Sequence, residues 1–275
     1  MNVSAPTSLR EALDALDAVA SAPEPHVLAG GTDFMVEVNF DLRRPEHVVS
    51  LHRLDELRTW SHHGRLVRVG AGVTCASLES DFVAIAPALA HAARTVGSPQ
   101  IRNVATLGGN LGTASPAGDL LPVLSALDAT IHCARRGESR AVSIHDFLIG
   151  PKRHVLAVGE LITGVEFDAT VGPQEFVKVG MRNAMVIAVA SVAAVRTDGT
   201  IRVALGSVGP TVIRARAAED WLAVRGLDPE AAGEFGARVA AEARPIDDHR
   251  ATAAYRRHAV AVCATRAARR LMEGG

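Results

Sequence analysis

Cysteine, lysine and aromatic residues are all scarce in this chain. Its 275 residues include three cysteines and 4% aromatic residues, and Lys152 and Lys178 are its lysines. The cysteines lie far apart without a C-x-x-C pair, and an iron–sulfur cluster needs about four thiolates, so we expect them to be small buried residues. Few aromatic residues and a net charge of −1 argue against nucleic acid or an anionic membrane as a partner.

Long apolar runs are absent as well. The longest, residues 184–195, is too short to span a bilayer, and the first six residues lack the basic start of a signal peptide. The sequence has no P-loop, no zinc-ligand spacing and no nucleophile elbow, so we assign no metal site and no nucleophile. We therefore expect a cytoplasmic protein without a transmembrane segment.

Hydrophobic residues are plentiful, at 48%, which suffices for a sizeable core in one large domain or two modest ones. Ser8, followed three positions later by Glu11, predicts a capped helix that Pro23 and Pro25 end. Residues 97–122 are rich in glycine and polar residues and lack periodicity, which predicts a long functional loop. Further strands are predicted at 26–29, 48–51, 66–72 and 129–134, and further helices at 77–82, 87–96 and 120–127.

The pattern changes after residues 170–173, where glycine and proline indicate a boundary. Asp198 and Gly199 predict a hairpin turn, and Pro229 suits the first turn of a helix. The last predicted helix has an apolar stripe and five arginines, which we interpret as a solvated face or, alternatively, as a subunit interface. The strands are predicted at 175–179, 186–196 and 201–207, and the helices at 214–224, 229–243 and 250–271. The stripe is Tyr255, Ala259 and Val262, and the arginines are Arg256, Arg257, Arg266, Arg269 and Arg270.

Two glycine-rich loops form the candidate functional site. In the first, residues 28–34, glycine allows the amides of residues 30–33 to turn toward one anion. The second, residues 106–113, adds another glycine pair, two hydroxyls and an amide. Each charge-assisted hydrogen bond contributes about 1.5–3 kcal/mol, so a few of them hold a dinucleotide pyrophosphate without a lysine. A tight turn without a ligand is the alternative for the first loop, and an ordinary Ω-loop for the second.

Asp119 follows the second loop closely. Because a negative charge beside a pyrophosphate is unfavourable, we expect its carboxylate to accept hydrogen bonds from sugar hydroxyls or loop amides. Residues 70–75 begin like a G-x-G-x-x-G fingerprint, but Cys75 replaces the final small residue, so we interpret them as a strand-to-helix turn. His62 and His63 are expected in a solvated loop.

The two loops also carry a family resemblance. The segments are LAGGTD at 28–33, GSPQIRNVATLGGN at 97–110 and TASPAGDLLP at 113–122. They closely resemble the FAD-binding, or medium, subunits of the molybdenum hydroxylases, which include xanthine dehydrogenases and aerobic carbon monoxide dehydrogenases. Further matching segments are KVGMR at 178–182, ALGSVGPT at 204–211, PIDD at 245–248 and YRR at 255–257. The resemblance spans nearly the whole chain, and its second loop is highly specific.

The resemblance implies an α+β fold. Residues 1–170 would form an FAD-binding type-2 (PCMH/VAO-like) domain with subdomains at about 1–55 and 56–170. Residues 171–275 would form a C-terminal α+β domain with a three-stranded antiparallel sheet and helices. FAD lies between the two subdomains, with its pyrophosphate held by the backbone of residues 29–33. The implied FAD-contacting positions are Leu28, Ala29, Gly30, Gly31, Thr32, Asp33, Phe34, Thr106, Gly108, Gly109, Asn110, Thr113 and Asp119 and, more weakly, Leu161 and Lys178, for which an exposed lysine is the alternative.

The resemblance further implies a role in electron transfer. A molybdenum subunit hydroxylates a substrate with oxygen from water, and two electrons pass through [2Fe-2S] clusters on a separate chain to the FAD of this one. NAD, a quinone or oxygen then accepts them. The implied partners are a molybdenum-cofactor subunit and a [2Fe-2S] subunit in a dimer of heterotrimers. A stand-alone FAD-dependent oxidoreductase of the same fold and a non-catalytic nucleotide-binding protein are the alternatives.

Overall fold

Helix α1, at Leu9–Ala18, begins at the residue that the sequence predicts. Ser8 Oγ accepts a hydrogen bond from the Glu11 amide at 3.2 Å, which satisfies one of the unpaired donors of the first turn. Pro23 and Pro25 lie outside the described residues. The structure, a computed structural model, describes residues 2–21, 26–169, 172–197 and 199–273.

A three-stranded parallel sheet forms the first unit of the chain. Its further elements are β1 (Asn2–Ser4), β2 (His26–Leu28), α2 (Phe34–Asn39) and β3 (His47–Ser50). The strand order is β1-β3-β2, with α1 connecting β1 to β2 and α2 connecting β2 to β3. Helix α2 buries none of its side chains. The loop between β2 and α2 is the first glycine-rich loop, so the sheet fixes one end of that loop.

A five-stranded antiparallel sheet forms the second unit. The strands of this part of the chain are β4 (Trp60–His63), β5 (Leu66–Gly70), β6 (Thr130–Arg135), β7 (Glu138–Ser143), β8 (Leu148–Gly150), β9 (Arg153–His154) and β10 (Leu161–Asp168). The order in the sheet is β4-β5-β10-β6-β7, while β8 and β9 pair separately. Strand β10 therefore inserts between strands that precede it in the sequence, and the sequence analysis did not predict it.

Helices cover one face of this sheet. They are α3 (Cys75–Asp81), α4 (Pro87–Arg94), α5 (Pro99–Arg102), α6 (Leu107–Thr113), α7 (Leu120–Ala126) and α8 (Ile144–Phe147). Val67 and Val69 lie in the core while Arg68 between them is exposed, as expected for strands with one covered face. The prediction of one long loop over residues 97–122 is wrong, because this segment contains α5, α6 and the start of α7. Side-chain caps and packing overcome the low helix propensity of its glycines.

A four-stranded antiparallel sheet and three helices form the third unit. The elements are β11 (Gln174–Gly180), β12 (Ala188–Thr197), β13 (Thr200–Gly206), β14 (Ile213–Arg214), α9 (Arg216–Arg225), α10 (Ala231–Glu242) and α11 (Ala253–Glu273). The three predicted strands are present in sequence order, and β14 is added at the edge. Pro229 precedes α10 instead of beginning it, because Glu230 is the N-cap residue. Asp198 of the predicted hairpin and the predicted boundary at 170–171 lie outside the described residues, so the domain limits stay a prediction.

The second and third units share one hydrophobic core and a polar network. Phe176 of β11 is fully buried in the core that the middle sheet and its helices form. At the edge of that contact, Asp128 accepts a hydrogen bond from His145 and pairs with Arg202 and Arg214 of the third unit. Burial alone raises the pKa of Asp128, but His145 and the two arginines lower it to about 2. The carboxylate is therefore charged at neutral pH and ties the two units together.

The arginines of α11 do not all face solvent, which corrects the sequence interpretation. Arg256 is 2% exposed, and its Nη1 donates to the carbonyls of Val189 and Ser207 at 2.7 and 2.8 Å. Its Nη2 donates to Asp248 at 2.6 Å. Tyr255, a member of the predicted apolar stripe, is 50% exposed. An arginine is buried here because the ends of two strands present carbonyl acceptors that an apolar side chain cannot satisfy.

We expect Arg256→Leu to lower the free energy of unfolding by about 3 kcal/mol, because it leaves Asp248 and two carbonyls without their buried partner. Urea denaturation measures this change. Arg257→Leu is the matched control on the exposed face of the same helix and is expected to change stability by less than about 0.5 kcal/mol. Equal effects of the two substitutions would show that Arg256 has no special role.

Candidate functional site

The two glycine-rich loops lie against each other at the boundary between the first and second units. A Cβ added to Gly30 would meet the Val104 carbonyl oxygen at 1.8 Å. The backbone just before the second loop therefore excludes any side chain at position 30. Gly31 has a φ of +75°, in the region that favours glycine. At the end of α6, Thr113 Oγ1 donates to Asp33 Oδ2 at 3.1 Å. The structure thus brings together the two loops that the sequence singles out.

The backbone amides of the first loop are available to a ligand. Within the described part of the chain, the amides of residues 30–33 donate to no acceptor. Regular helical bonding begins only at Met35, whose amide donates to the Gly31 carbonyl at 2.9 Å. Residues 30–32 are partly buried and Asp33 is exposed, and four consecutive amides without a protein acceptor fit an anionic group such as a pyrophosphate. This loop therefore has the donors that the sequence analysis assigned to it.

The amides of the second loop are already used within the protein. Gly108 donates to the Ala71 carbonyl at 2.8 Å, and Asn110 to the Thr106 carbonyl at 3.0 Å. The amide of Gly109 donates to Thr106 Oγ1 at 2.9 Å, so Thr106 is the N-cap of α6. A Cβ on Gly108 would lie 2.7 Å from that of Ala71. The second glycine pair therefore allows α6 to pack closely and does not form a second set of free amides.

Asn110 has a side-chain atom that lacks a partner. Its Oδ1 is buried and accepts no hydrogen bond in the part of the chain that the structure describes. A buried acceptor without a donor costs about 1–3 kcal/mol. The sugar part of a dinucleotide carries hydroxyl donors, so a bound dinucleotide fits this oxygen. The assignment of Asn110 as a contact residue remains a prediction with this support.

Asp119 and Lys178 form a buried ion pair between the second and third units. Lys178 Nζ lies 2.5 Å from Asp119 Oδ2, and both side chains are 8% exposed. Thr95 donates to the same oxygen at 3.2 Å, while Oδ1 is buried without a partner among the described residues. Burial raises the pKa of Asp119, and the charge of Lys178 opposes that rise. The alternative of an exposed Lys178 is wrong, and the donors to Asp119 are Lys178 and Thr95 instead of loop amides.

The remaining predicted positions have less direct support. Leu161 is 4% exposed and packs with Leu16 and Leu57 in a small core below α1. Phe34 lies edge-on to the His26 ring at 5.7 Å. Leu28, Ala29 and Thr32 are partly buried residues of the first loop. Their contacts with a cofactor, like those of all the site residues, stay predictions.

The sequence analysis missed several residues that build this region. Val104 and Thr95 were not singled out, because a carbonyl contact and a hydroxyl donor leave no local pattern. Lys152 was noted only as one of two lysines, yet its Nζ lies 2.9 Å from Glu37 Oε1 next to the first loop. A separate surface groove of about 410 Å³ is lined by residues such as Trp60 and Thr163 and includes none of the predicted cofactor positions.

Fold and loops together define a dinucleotide-binding α+β protein. Among the described residues, no group of histidines, cysteines or acidic residues could hold a metal ion. No helix in the same residues is long and apolar enough to cross a membrane. The three cysteines are buried free thiols, and burial raises the pKa of Cys75 to about 12 and that of Cys133 to about 11.

Comparison with known families agrees with this class. Residues 1–168 match the FAD binding domain in molybdopterin dehydrogenase, and residues 175–271 match the CO dehydrogenase flavoprotein C-terminal domain. The glyceraldehyde dehydrogenase medium chain of Sulfolobus acidocaldarius is 32% identical over 267 residues, with 94% of each chain covered. The xanthine dehydrogenase FAD-binding subunit of Escherichia coli O157:H7 is 32% identical over 260 residues, which cover 90% of this chain and 88% of the relative.

Solved structures show the same relationship. Quinoline 2-oxidoreductase from Pseudomonas putida 86 has a chain with a TM-score of 0.92 and 26% identity, covering 100% of this chain and 97% of that one. Carbon monoxide dehydrogenase from Hydrogenophaga pseudoflava has a chain with a TM-score of 0.91 and 27% identity, and the match covers 99% of this chain and 97% of that one. This chain belongs to the FAD-binding subunits of the molybdopterin dehydrogenases. The predicted family, α+β fold, oxidoreductase class and FAD cofactor are thereby confirmed.

We expect Gly30→Ala to weaken FAD binding at least about tenfold, because the added methyl group separates the first loop from the Val104 carbonyl. Gly233→Ala is the matched control, since a Cβ there has no neighbour within 4 Å. Flavin fluorescence titration of both folded variants measures the two affinities. A folded Gly30→Ala protein with the wild-type affinity would contradict the placement of FAD at this loop.

We expect Lys178→Met to lower the free energy of unfolding by about 3 kcal/mol, because it leaves the buried Asp119 unpaired. Adding Asp119→Leu should recover part of this loss, since no charged group is then left buried and the side chain has no acceptor oxygen. FAD affinity should nevertheless stay low in the double variant if Asp119 Oδ1 accepts a hydrogen bond from the cofactor. Full recovery of affinity together with stability would show that the pair is only structural.

Proposed function

We propose that this chain is the electron-relay subunit of a molybdenum hydroxylase in the cytoplasm. In this role it receives electrons from the [2Fe-2S] clusters of a partner subunit and passes them to NAD, a quinone or oxygen. The carrying observation is the set of four unpaired amides in residues 30–33, placed against the α6 segment at the boundary of the first two units. Such a set of donors suits the pyrophosphate of FAD.

The residues of the chain bind and orient the cofactor, and none is assigned to acid–base chemistry. When bound, FAD supplies the redox chemistry, because it accepts and releases electrons that no side chain here can carry. The amides of residues 30–33 hold the pyrophosphate. Asn110 and Asp119 offer buried acceptor oxygens to hydroxyl groups of the cofactor, and Lys178 keeps the Asp119 carboxylate in place.

The partners of the chain are a molybdenum-cofactor subunit and a [2Fe-2S] subunit, in a dimer of heterotrimers. Two observations support partners of this kind. The relatives are described as medium chains and FAD-binding subunits of dehydrogenases, and this chain covers about nine-tenths of their length. Metal clusters require thiolates, whereas Cys75, Cys133 and Cys263 are buried thiols with raised pKa values.

The test is removal of FAD from the assembled complex, expressed from this gene together with its genomic neighbours. We expect the FAD-free complex to keep oxidising its substrate with an artificial dye that accepts electrons from an earlier centre, and to lose reduction of the physiological acceptor. Adding FAD should restore that reduction, and trials with NAD, a quinone and oxygen identify the acceptor. Substrate oxidation by the flavin-loaded chain alone would show a stand-alone oxidoreductase instead.

A further inference from the structure

Two polar side-chain contacts join the first and second units beside the glycine-rich loops. Thr113 Oγ1 donates to Asp33 Oδ2 at 3.1 Å, and Lys152 Nζ donates to Glu37 Oε1 at 2.9 Å. On the far side of the first unit, helix α1 packs instead on an apolar core that includes Leu161 of the middle sheet. At α1 the two units are therefore joined by apolar packing together with ion pairs of Arg136, whereas the side-chain contacts beside the loops are polar alone.

Helix α2 lies directly after the first loop and has little apolar packing of its own. None of its side chains is buried, and Met35 and Val36 are 43% and 50% exposed. Most helices in proteins are stabilised by the burial of an apolar face. Because α2 lacks such a face, its position relative to α6 depends on polar contacts. Glu37 is the only charged residue of this helix.

Glu37 has one cationic partner in each unit. Arg43 Nη2, in the first unit, lies 3.0 Å from Glu37 Oε2, and Lys152, in the second, contacts Oε1. The hydrogen bond from Lys152, despite opposing desolvation, lowers the pKa of Glu37, so this carboxylate is charged at neutral pH. The Lys152 amide also donates to the carbonyl of Ala114, the residue that ends α6, at 3.0 Å. Lys152 thus connects the end of α6 with α2.

We propose that the ion pair between Lys152 and Glu37 is a positioning contact that keeps the first loop closed on bound FAD and slows release of the cofactor. Movement of α2 away from α6 would carry the amides of residues 30–33 away from the pyrophosphate and admit water between them. The pair opposes that movement without touching the cofactor. This inference depends on the FAD-binding role of the chain and adds to it a determinant of cofactor retention.

The experiment measures the rate at which FAD leaves the full chain after dilution into a trap for free flavin, followed by flavin fluorescence. Lys152→Met removes the contact between the first and second units and leaves the Arg43–Glu37 pair intact. Arg136→Met is the matched control, because Arg136 is equally exposed, at 64%, and joins the same two units through Asp14 and Asp17 of α1. Glu37→Gln tests the other partner if Lys152→Met does not fold.

We expect Lys152→Met to release FAD about threefold faster than the unchanged chain, as suits a partly exposed ion pair. Lys152→Arg should restore slow release, Arg136→Met should have no effect, and about 0.5 M salt should remove the difference between the unchanged chain and Lys152→Met. Equal release by Lys152→Met and the unchanged chain, or equal acceleration by Arg136→Met, would overturn the proposal. An unchanged chain that takes up no FAD would instead contradict the FAD-binding role itself.

Discussion

The close approach of Gly30 to the Val104 carbonyl is the contact on which the cofactor site depends. No residue with a Cβ fits there, because the added atom would lie 1.8 Å from a backbone oxygen. The contact sets the first loop beside the segment that leads into α6. Thr106 then caps α6 and fixes the direction of that helix. This glycine thereby sets how closely the first two units approach each other at the loops, and the free amides lie at the boundary that results.

The third unit reaches the predicted cofactor position Asp119 through a charge. Lys178 extends from β11 to Asp119, at the start of α7, and both side chains are almost completely buried. A buried ion pair adds little net stability compared with apolar packing, but either partner alone is strongly unfavourable. The pair therefore restricts the third unit to arrangements that keep Lys178 beside Asp119. Because Asp119 Oδ1 remains without a partner in the described residues, the same pair leaves one acceptor available for the cofactor.

Local sequence signals predicted much of this fold, and contacts between distant segments account for what they missed. Ser8 capped α1 as predicted, since an N-cap depends only on the next three residues. Strand β10 was missed because its neighbours in the sheet lie far away in the sequence. Arg256 was assigned to solvent because its buried acceptors belong to β12 and to the end of β13. For the site, glycine patterns located both loops, but the Lys178–Asp119 pair could only be found in three dimensions.

The two glycine pairs look alike in the sequence but have different structural roles. Gly30 and Gly31 belong to a loop whose amides have no protein acceptor in the part of the chain described, so that loop is suited to bind an anion. Gly108 and Gly109 lie inside α6, where their amides are paired and the missing side chain of Gly108 allows a close approach to Ala71. The first loop therefore offers amides to an anion, and the second loop supports the packing around it. In this chain the two loops are complementary, because the first presents the free donors and the second lies against it and supports it.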